Sequence, residues 1–198
     1  MASRDILDEL ISRSTRGPLQ LYRAVTRCPS CGSYALEITE YMYSVPYFGN
    51  IILSIGTCSS CGYKYRDVRL AEATEPKKII VKVEGEREVR YLLIKSAMAI
   101  IYIPERGYEM LPGPASTGFI TTIEGLLHRF LEVLEILCKD KPDNEVCSEN
   151  REWLKNAIEG KQRFTLIICD NEGTSKVIGD NVIVTEIDEE CREKTQKL

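Results

Sequence analysis

The sequence predicts a mostly β protein with a smaller helical part, in which a zinc ribbon precedes a β domain that an α-helical hairpin interrupts. Three observations predict this fold class. Two C-x-x-C-G motifs begin at Cys28 and Cys58, short segments of alternating polarity fill most of the chain, and the longest stretch of helical periodicity lies at about 121–160. The expected parts are an N-terminal helix at 1–18, the ribbon at 19–70 and the β domain at 71–198.

The cysteines of the two motifs are the expected metal ligands: Cys28, Cys31, Cys58 and Cys61. Two thiolates separated by two residues can bind one metal from a tight turn, and the glycine after each pair takes the positive φ that this turn needs. Four thiolates complete a closed tetrahedral site for one structural Zn²⁺, which leaves no position for a reactive water. The alternatives are unpaired cysteines or two disulfides, but a C-x-x-C disulfide is strained. The sequence therefore favours zinc.

Composition and charge narrow the class of protein. Of the 198 residues, 43% are hydrophobic and 28% charged, which is typical of a globular chain. No apolar run reaches membrane-spanning length and the acidic N-terminus is unlike a signal peptide, so we expect a cytoplasmic protein whose thiols stay reduced. Residues 1–70 carry 8 basic and 6 acidic side chains, whereas residues 71–198 carry 18 and 24. Because the ribbon is only mildly basic, nucleic acid is the weaker interpretation of its partner.

The first 70 residues predict a short helix and the strands of the ribbon. Ser3 is placed to cap the helix, which Gly17 and Pro18 end, and its apolar face is expected to dock on the ribbon or on the second domain. The expected ribbon strands cover residues 19–27, 34–39, 51–55 and 63–68. Between the second and third of these strands, Tyr47 and Phe48 form a bulky turn. We interpret this turn either as an anchor for a partner protein or as packing within the fold.

After a polar linker at 71–78, the pattern is again that of strands, with one helical interruption. The expected strands cover 79–84, 88–95, 97–103, 163–169, 176–178 and 182–187, with a hairpin turn at 85–87. A capping box that starts at Thr121 predicts the first helix, and cap and period place the second at about 144–159. Strands on both sides of an αα-hairpin predict a small β-sandwich or a jelly-roll-like barrel. The charged tail from Asp188 is expected to be helical or frayed.

Two further cysteines lie at the neck of the predicted hairpin. Cys138 ends its first helix and Cys147 lies in the first turn of its second. A short connection between antiparallel helices can bring such residues within the roughly 7 Å between Cα atoms that a disulfide requires. Glutamine occurs at only three positions, which is a sign of a thermophilic source, and the cytosol of hyperthermophiles does form disulfides. A Cys138–Cys147 bridge and two buried free thiols both remain open.

Five short motifs occur in a fixed order. They are C-P-S-C-G at 28–32, V-P-Y-F-G at 45–49, C-S-S-C-G-Y at 58–63, G-F-I-T-T-I-E-G-L-L at 118–127 and D-N-E-G-T-S at 170–175. Together they resemble the signatures of the ZPR-type zinc-finger proteins, over about residues 20–187. The resemblance implies a zinc ribbon like that of a translation initiation factor, followed by a double-stranded β-helix with a helical-hairpin insertion. A single module, as here, resembles the archaeal form. The resemblance also implies binding of translation elongation factor 1-alpha, a GTPase, and assistance with its folding.

The residues themselves indicate no catalytic constellation, so we expect a protein that is not an enzyme. His128 is the single histidine, and no P-loop motif occurs. The G-T-S-K stretch at 173–176 resembles a phosphate loop but precedes no predicted helix, so a hairpin turn is the preferred interpretation.

Two function classes remain. One is a zinc-binding protein-interaction module or chaperone for the elongation factor. The alternative is a nucleic-acid-binding zinc ribbon in translation or transcription, with five basic side chains on phosphates: Arg23, Arg27, Lys64, Arg66 and Arg69.

Overall fold

The computed structural model describes residues 17–45, 49–71, 75–113, 115–140 and 144–196. Twelve strands and four helices lie within these ranges. The predicted N-terminal helix and the Tyr47-Phe48 turn lie outside the described residues. Within them, the chain is mostly β, with an N-terminal ribbon and a following jelly roll, as the sequence predicts.

The ribbon is one antiparallel sheet of four strands in the order β1-β2-β3-β4. Its strands are β1 (Leu19–Arg27), β2 (Tyr34–Val45), β3 (Gly49–Cys58) and β4 (Lys64–Leu70). β2 and β3 are longer than predicted, since their pairing continues without a break from Leu36 opposite Cys58 to Val45 opposite Gly49. The alternation of polar and apolar residues marks only the part of each strand that has one buried face. The ends of these strands carried no such signal.

The jelly roll contains eight strands in two sheets. They are β5 (Lys77–Val83), β6 (Leu92–Lys95), β7 (Ile100–Ile103), β8 (Tyr108–Met110), β9 (Phe119–Thr122), β10 (Phe164–Asp170), β11 (Lys176–Ile178) and β12 (Val182–Glu186). One antiparallel sheet has the order β12-β5-β10-β7-β8, and the other has the order β11-β6-β9. Apolar residues of both sheets meet in one core cluster, to which β5, β7 and β10 contribute most of the strand residues.

Four helices complete the described structure: α1 (Glu86–Val89), α2 (Ile123–Leu137), α3 (Glu145–Ile158) and α4 (Glu189–Gln196). The antiparallel pair of α2 and α3 is the predicted hairpin. The half of the hairpin nearer the jelly roll, at the start of α2 and the end of α3, buries Leu126, Leu127 and Leu154 in the core. The charged tail forms α4, which lies on the outer face of the five-stranded sheet and buries Cys191 against it.

The predicted hairpin at 79–95 is wrong. Residues 86–89 form α1, and β5 and β6 belong to different sheets. Glu86, Arg87 and Glu88 are good helix formers, and the Glu88 carboxylate accepts a hydrogen bond from the backbone N–H of Glu84 at 3.3 Å. Val89 is still buried, so the apolar signal at that position was correct although its assignment to a strand was not.

The predicted hairpin turn at 173–176 is also wrong, because the chain crosses between sheets there, as it does at a second turn at 179–181. The turn at 171–175 leads from β10 in the five-stranded sheet to β11 in the three-stranded sheet, and the turn at 179–181 leads back to β12. Turn residues mark where a chain reverses, but they do not specify the strand with which it next pairs. These crossings join the two sheets into a jelly roll.

The cap of α2 lies one residue later than predicted. The N-cap is Thr122, whose hydroxyl accepts a hydrogen bond from the backbone N–H of Gly125 at 3.0 Å. Thr121 instead lies in β9 and pairs with Leu93 of β6. The strand therefore continues directly into the helix. Thr121, which the local motif predicted as the cap, is instead part of the strand pairing.

The ribbon packs on the three-stranded sheet through a small apolar cluster. Ile51 of β3 and Val68 of β4 are buried against Ile94 of β6. Beside this cluster, the backbone N–H of Gly118 donates to the Asp67 carboxylate at 2.6 Å. This contact fixes the ribbon on the jelly roll. The two turns formed by the C-x-x-C-G motifs, called knuckles below, lie at the other end of the ribbon sheet.

Candidate metal centre and partner surfaces

The two knuckles have the same local structure. In each one, the backbone N–H of the glycine donates to the carbonyl of the first cysteine at 2.9 Å, and both Gly32 and Gly62 have φ of +74°. The N–H of the first cysteine donates to the carbonyl of the residue after the glycine, at 2.8 Å in the first knuckle and 2.9 Å in the second. This turn needs the left-handed conformation that glycine adopts without steric cost. The repeated motif therefore builds the same sulfur-presenting turn twice.

The four predicted ligands come together in the structure. Their Sγ atoms all lie within 4.8 Å of one another. Cys28 and Cys61 are 3.7 Å apart at Sγ, and Cys31 and Cys58 are 3.8 Å apart. A tetrahedral site with Zn–S bonds of about 2.3 Å has sulfur–sulfur edges of about 3.8 Å. The donor set thus fits one Zn²⁺, and four thiolates would fill its coordination shell, so the metal would act by holding the knuckles together.

The thiols of the cluster influence one another's pKa. Hydrogen bonds from Ser33 lower the pKa of the Cys31 thiol to about 6. The backbone of Tyr63 lowers the pKa of Cys61, but Cys31, burial and the other thiols raise it to about 11 on balance. Binding of a cation requires these thiols to lose their protons, because thiolate is the form that binds metal.

The five basic residues of the nucleic-acid interpretation do not form one patch. Strand pairing places Arg23, Thr39, Ile55 and Arg66 in one row across the sheet, and Lys64 lies on the same face as Arg66. Arg23 is paired with Glu37 at 2.7 Å. Arg69 lies three residues beyond Arg66, on the opposite face, and contacts Glu40. Arg27 follows a register shift in β1. Phosphate contacts by these residues stay a prediction.

The tip of the helical hairpin exposes four large apolar side chains: Val133, Ile136, Leu137 and Val146. Ile136 and Leu137 are 74% and 71% exposed, although they lie in the last turn of a regular helix. The structure shows that the apolar stripe of α2 continues beyond the jelly-roll core. The tip is therefore a candidate partner surface that sequence reasoning missed.

Two disulfides account for the remaining four cysteines. Cys138 and Cys147 are bonded at the neck of the hairpin, with Cα atoms 6.0 Å apart. Cys169 of β10 and Cys191 of α4 form the second bond, which was not predicted from the sequence. Six of the eight cysteines were assigned from the sequence, which leaves Cys169 and Cys191 as a possible pair. Their separation of 22 residues, however, does not predict that they are in contact.

The G-T-S-K stretch belongs to a buried network rather than to an open loop. Asp170 is fully buried, and its carboxylate accepts hydrogen bonds from the Ser96 hydroxyl and from the backbone N–H groups of Glu172 and Ser175. The Ser175 hydroxyl in turn accepts from the backbone N–H of Ser96. Since these partners bind one another, the turn has an internal structural role. His128 is exposed on α2.

Ribbon and jelly roll with four clustered thiols define a class: zinc-ribbon proteins with a jelly-roll domain. Comparison with known proteins identifies the family within this class. A sequence profile described as the ZPR1 zinc-finger domain matches residues 20–76, and one described as the ZPR1 jelly-roll domain matches residues 87–197. The chain belongs to the ZPR1 zinc-finger family.

Archaeal and eukaryotic relatives match this chain over different shares of their own length. A ZPR1-like protein of Methanocaldococcus jannaschii is 36% identical over 86% of this chain and 88% of its own length. A ZPR1-like protein of Pyrococcus horikoshii is 34% identical over 78% and 73%. The zinc finger chaperone zpr1 of Schizosaccharomyces pombe is 34% identical over 75% of this chain but only 33% of its own length. Within the described residues, no helix is both long and apolar enough to cross a membrane.

Proposed function

We propose that this chain is a cytoplasmic, non-enzymatic protein-interaction module that binds translation elongation factor 1-alpha and assists its folding. The observation that carries the proposal is the exposed apolar tip of the hairpin. Membership of a family in which a fungal relative is named a zinc finger chaperone supports the chaperone role. The resemblance of the sequence motifs supports the choice of the elongation factor. In this proposal, one zinc on Cys28, Cys31, Cys58 and Cys61 maintains the ribbon.

The tip suits a partner that offers an apolar groove. Ile136 and Leu137 at the end of α2 and Val146 at the start of α3 lie on either side of the Cys138–Cys147 bond. Exposed apolar patches on helices mark interaction sites, and a helical anchor binds by inserting such side chains into a groove. An incompletely folded GTPase exposes apolar surface of this kind, so the tip and the client have complementary chemistry.

The turn between β2 and β3 is proposed as a second contact. Tyr47 and Phe48 lie outside the described residues, and their role as anchors stays a prediction. Phe48→Ala should weaken capture of the elongation factor by roughly 2 kcal/mol, the loss typical of a buried interface anchor, while zinc content stays the same. Unchanged affinity in a folded variant would favour packing of Phe48 within the protein.

The proposal is tested by capture of purified elongation factor 1-alpha on the immobilised full chain. Ile136→Ser combined with Leu137→Ser should weaken capture at least tenfold. Val184→Ser is the matched control, because Val184 is also an exposed apolar residue but lies on β12. Equal affinity of the tip variant and the control would overturn the proposal for the tip. Steeply salt-dependent binding of RNA or DNA without capture of the elongation factor would favour the nucleic-acid alternative.

A further inference from the structure

The two disulfides have different surroundings. Cys169 and Cys191 lie in an apolar cluster between the five-stranded sheet and α4. The segment that carries Cys191 is held further by Lys78, whose ammonium donates to Asp188 at 2.6 Å and to Glu190 at 3.0 Å. A reductant reaches this bond only after the whole helix has been released from the sheet. The bond is therefore protected by tertiary structure.

The Cys138–Cys147 bond is held by much less of the structure. The hairpin is anchored to the jelly roll at the end away from this bond, where Leu126, Leu127 and Leu154 are buried. There Asn150 also accepts a hydrogen bond from the Tyr108 hydroxyl at 2.8 Å. Cys138 and Cys147 are themselves only 4% and 8% exposed, but neither belongs to an apolar core cluster of the described residues. Next to the bond, the side chains of Ile136, Leu137 and Val146 are exposed, so these described residues add no buried packing around it.

Near the disulfide, one ion pair also joins α2 to α3. The Arg151 guanidinium donates to the Glu135 carboxylate through two hydrogen bonds, at 2.7 and 3.0 Å. Both side chains are partly exposed, and ion pairs at a protein surface contribute little to stability. The covalent bond is therefore the main constraint that keeps the end of α2 beside the start of α3.

We propose that the Cys138–Cys147 disulfide is a redox-responsive clasp that keeps the apolar hairpin tip ordered. The connection to partner binding rests on the proposed function: an ordered tip loses less conformational entropy on association than a disordered one. Opening of the tip exposes the bond to a dithiol reductant. One thiolate of the reductant attacks a sulfur of the bond and releases the other cysteine as a thiol. The second thiolate of the reductant then attacks the reductant's own sulfur in the mixed disulfide, which releases the second cysteine and closes the reductant's disulfide. The protein gains two electrons and two protons as two thiols, and the reductant becomes a disulfide.

The order of reduction tests the clasp in the wild-type chain. The oxidised full-length protein is titrated with dithiothreitol, the free thiols are alkylated, and labelled peptides are measured by mass spectrometry. Cys138 and Cys147 should be labelled at least ten times faster than Cys169 and Cys191. Equal rates, or earlier labelling of Cys169 and Cys191, would overturn the proposal. So would two free thiols at 138 and 147 in protein purified from its source without reductant.

Amide hydrogen exchange gives a second readout, with a matched control in the same chain. Cys138→Ser with Cys147→Ser should raise exchange at residues 134–138 and 145–149 at least tenfold, whereas Cys169→Ser with Cys191→Ser should leave these residues unchanged. Equal protection in both variants would overturn the clasp. Affinity for elongation factor 1-alpha should fall at least fivefold in the first variant only. A wild-type chain that captures no elongation factor would overturn the proposed function alone, because the exchange rates still decide the clasp.

Discussion

At the scale of single residues, Cys58 is the ribbon position at which we expect substitution to do the most damage. It is buried at the end of β3, its backbone N–H closes the second knuckle, and its Sγ lies 3.8 Å from that of Cys31. Cys58→Ser should release the zinc and unfold the ribbon, because zinc binding in such sites supplies on the order of 10–16 kcal/mol of folding free energy. Metal analysis after gel filtration measures the loss. Cys138→Ser with Cys147→Ser is the control and should retain the zinc; stoichiometric zinc in Cys58→Ser would contradict the ligand assignment.

Lys95 gives a prediction about pH. Its side chain is buried in the jelly roll, and its ammonium donates to the carbonyl oxygens of Ser96 and Ala97 at 2.8 and 3.2 Å. Burial lowers the pKa of Lys95 to about 8, although Asp170 and other carboxylates nearby oppose the shift. Between pH 8 and the ordinary lysine pKa of about 10.4, the unfolded chain retains a proton that the folded chain has lost. The free energy of unfolding should therefore rise with pH across this window.

The measurement for Lys95 compares variants by urea unfolding from pH 7.5 to 10.5. Wild type should gain stability relative to Lys95→Met as the pH rises, by at most roughly 3 kcal/mol over the window. Lys82→Met is the control, because it removes one lysine charge from the surface without changing a buried site. A constant difference between wild type and Lys95→Met across the window would mean that the folded and unfolded chains bind this proton equally.

At the scale of the secondary-structure elements, the start of α2 separates local from tertiary signals. Thr122→Ala removes the cap that accepts from the N–H of Gly125, and should cost about 1 kcal/mol of unfolding free energy. Thr121→Ala should cost less than half of this, because Thr121 lies in β9 and contributes no cap. Urea unfolding of the two variants checks the order. A larger loss for Thr121→Ala would favour the capping box that the sequence motif predicts.

Most elements of this fold could be predicted from local signals. The knuckles, the two helices of the hairpin and nearly all strands follow from motif spacing, capping residues and periodicity. The missing parts depend on residues far apart in sequence. Ser96 and Ser175 are 79 positions apart in the network around Asp170, and Cys169 meets Cys191 only because α4 folds back on the outer sheet. The assignment of β6 and β11 to a second sheet likewise depends on pairing, which the turn residues between strands do not specify.

The candidate site shows the same division between local and distant information. All four thiols of the metal centre were predicted, because each knuckle is a local motif with its own hydrogen bonds. The exposed tip was not predicted, since an apolar stripe at helical spacing has the same pattern whether a core or a partner covers it. Only the position of Ile136 and Leu137 beyond the last core contacts of α2 distinguishes the two cases.

At the scale of the whole molecule, Gly118 connects the two parts of the protein. A Cβ atom at this position would lie 2.0 Å from the carbonyl oxygen of Val68 in β4 and 3.0 Å from that of Lys95 in β6. Both neighbours are backbone atoms, so neither can move aside without shifting a strand. Glycine is therefore required where the ribbon meets the jelly roll, which gives a physical reason for a glycine at the start of the G-F-I-T-T motif.

Gly118→Ala should weaken this joint while the two parts stay folded. We expect a loss of roughly 1–3 kcal/mol in unfolding free energy, as for other overpacked sites, and a larger radius of gyration by small-angle X-ray scattering as the ribbon leaves the three-stranded sheet. Zinc content should not change, since the knuckles lie at the other end of the ribbon. Gly113→Ala is the matched control, because nothing lies within 4 Å of a Cβ there. If Gly118→Ala kept the stability and dimensions of Gly113→Ala, the ribbon would not depend on this close backbone contact for its position.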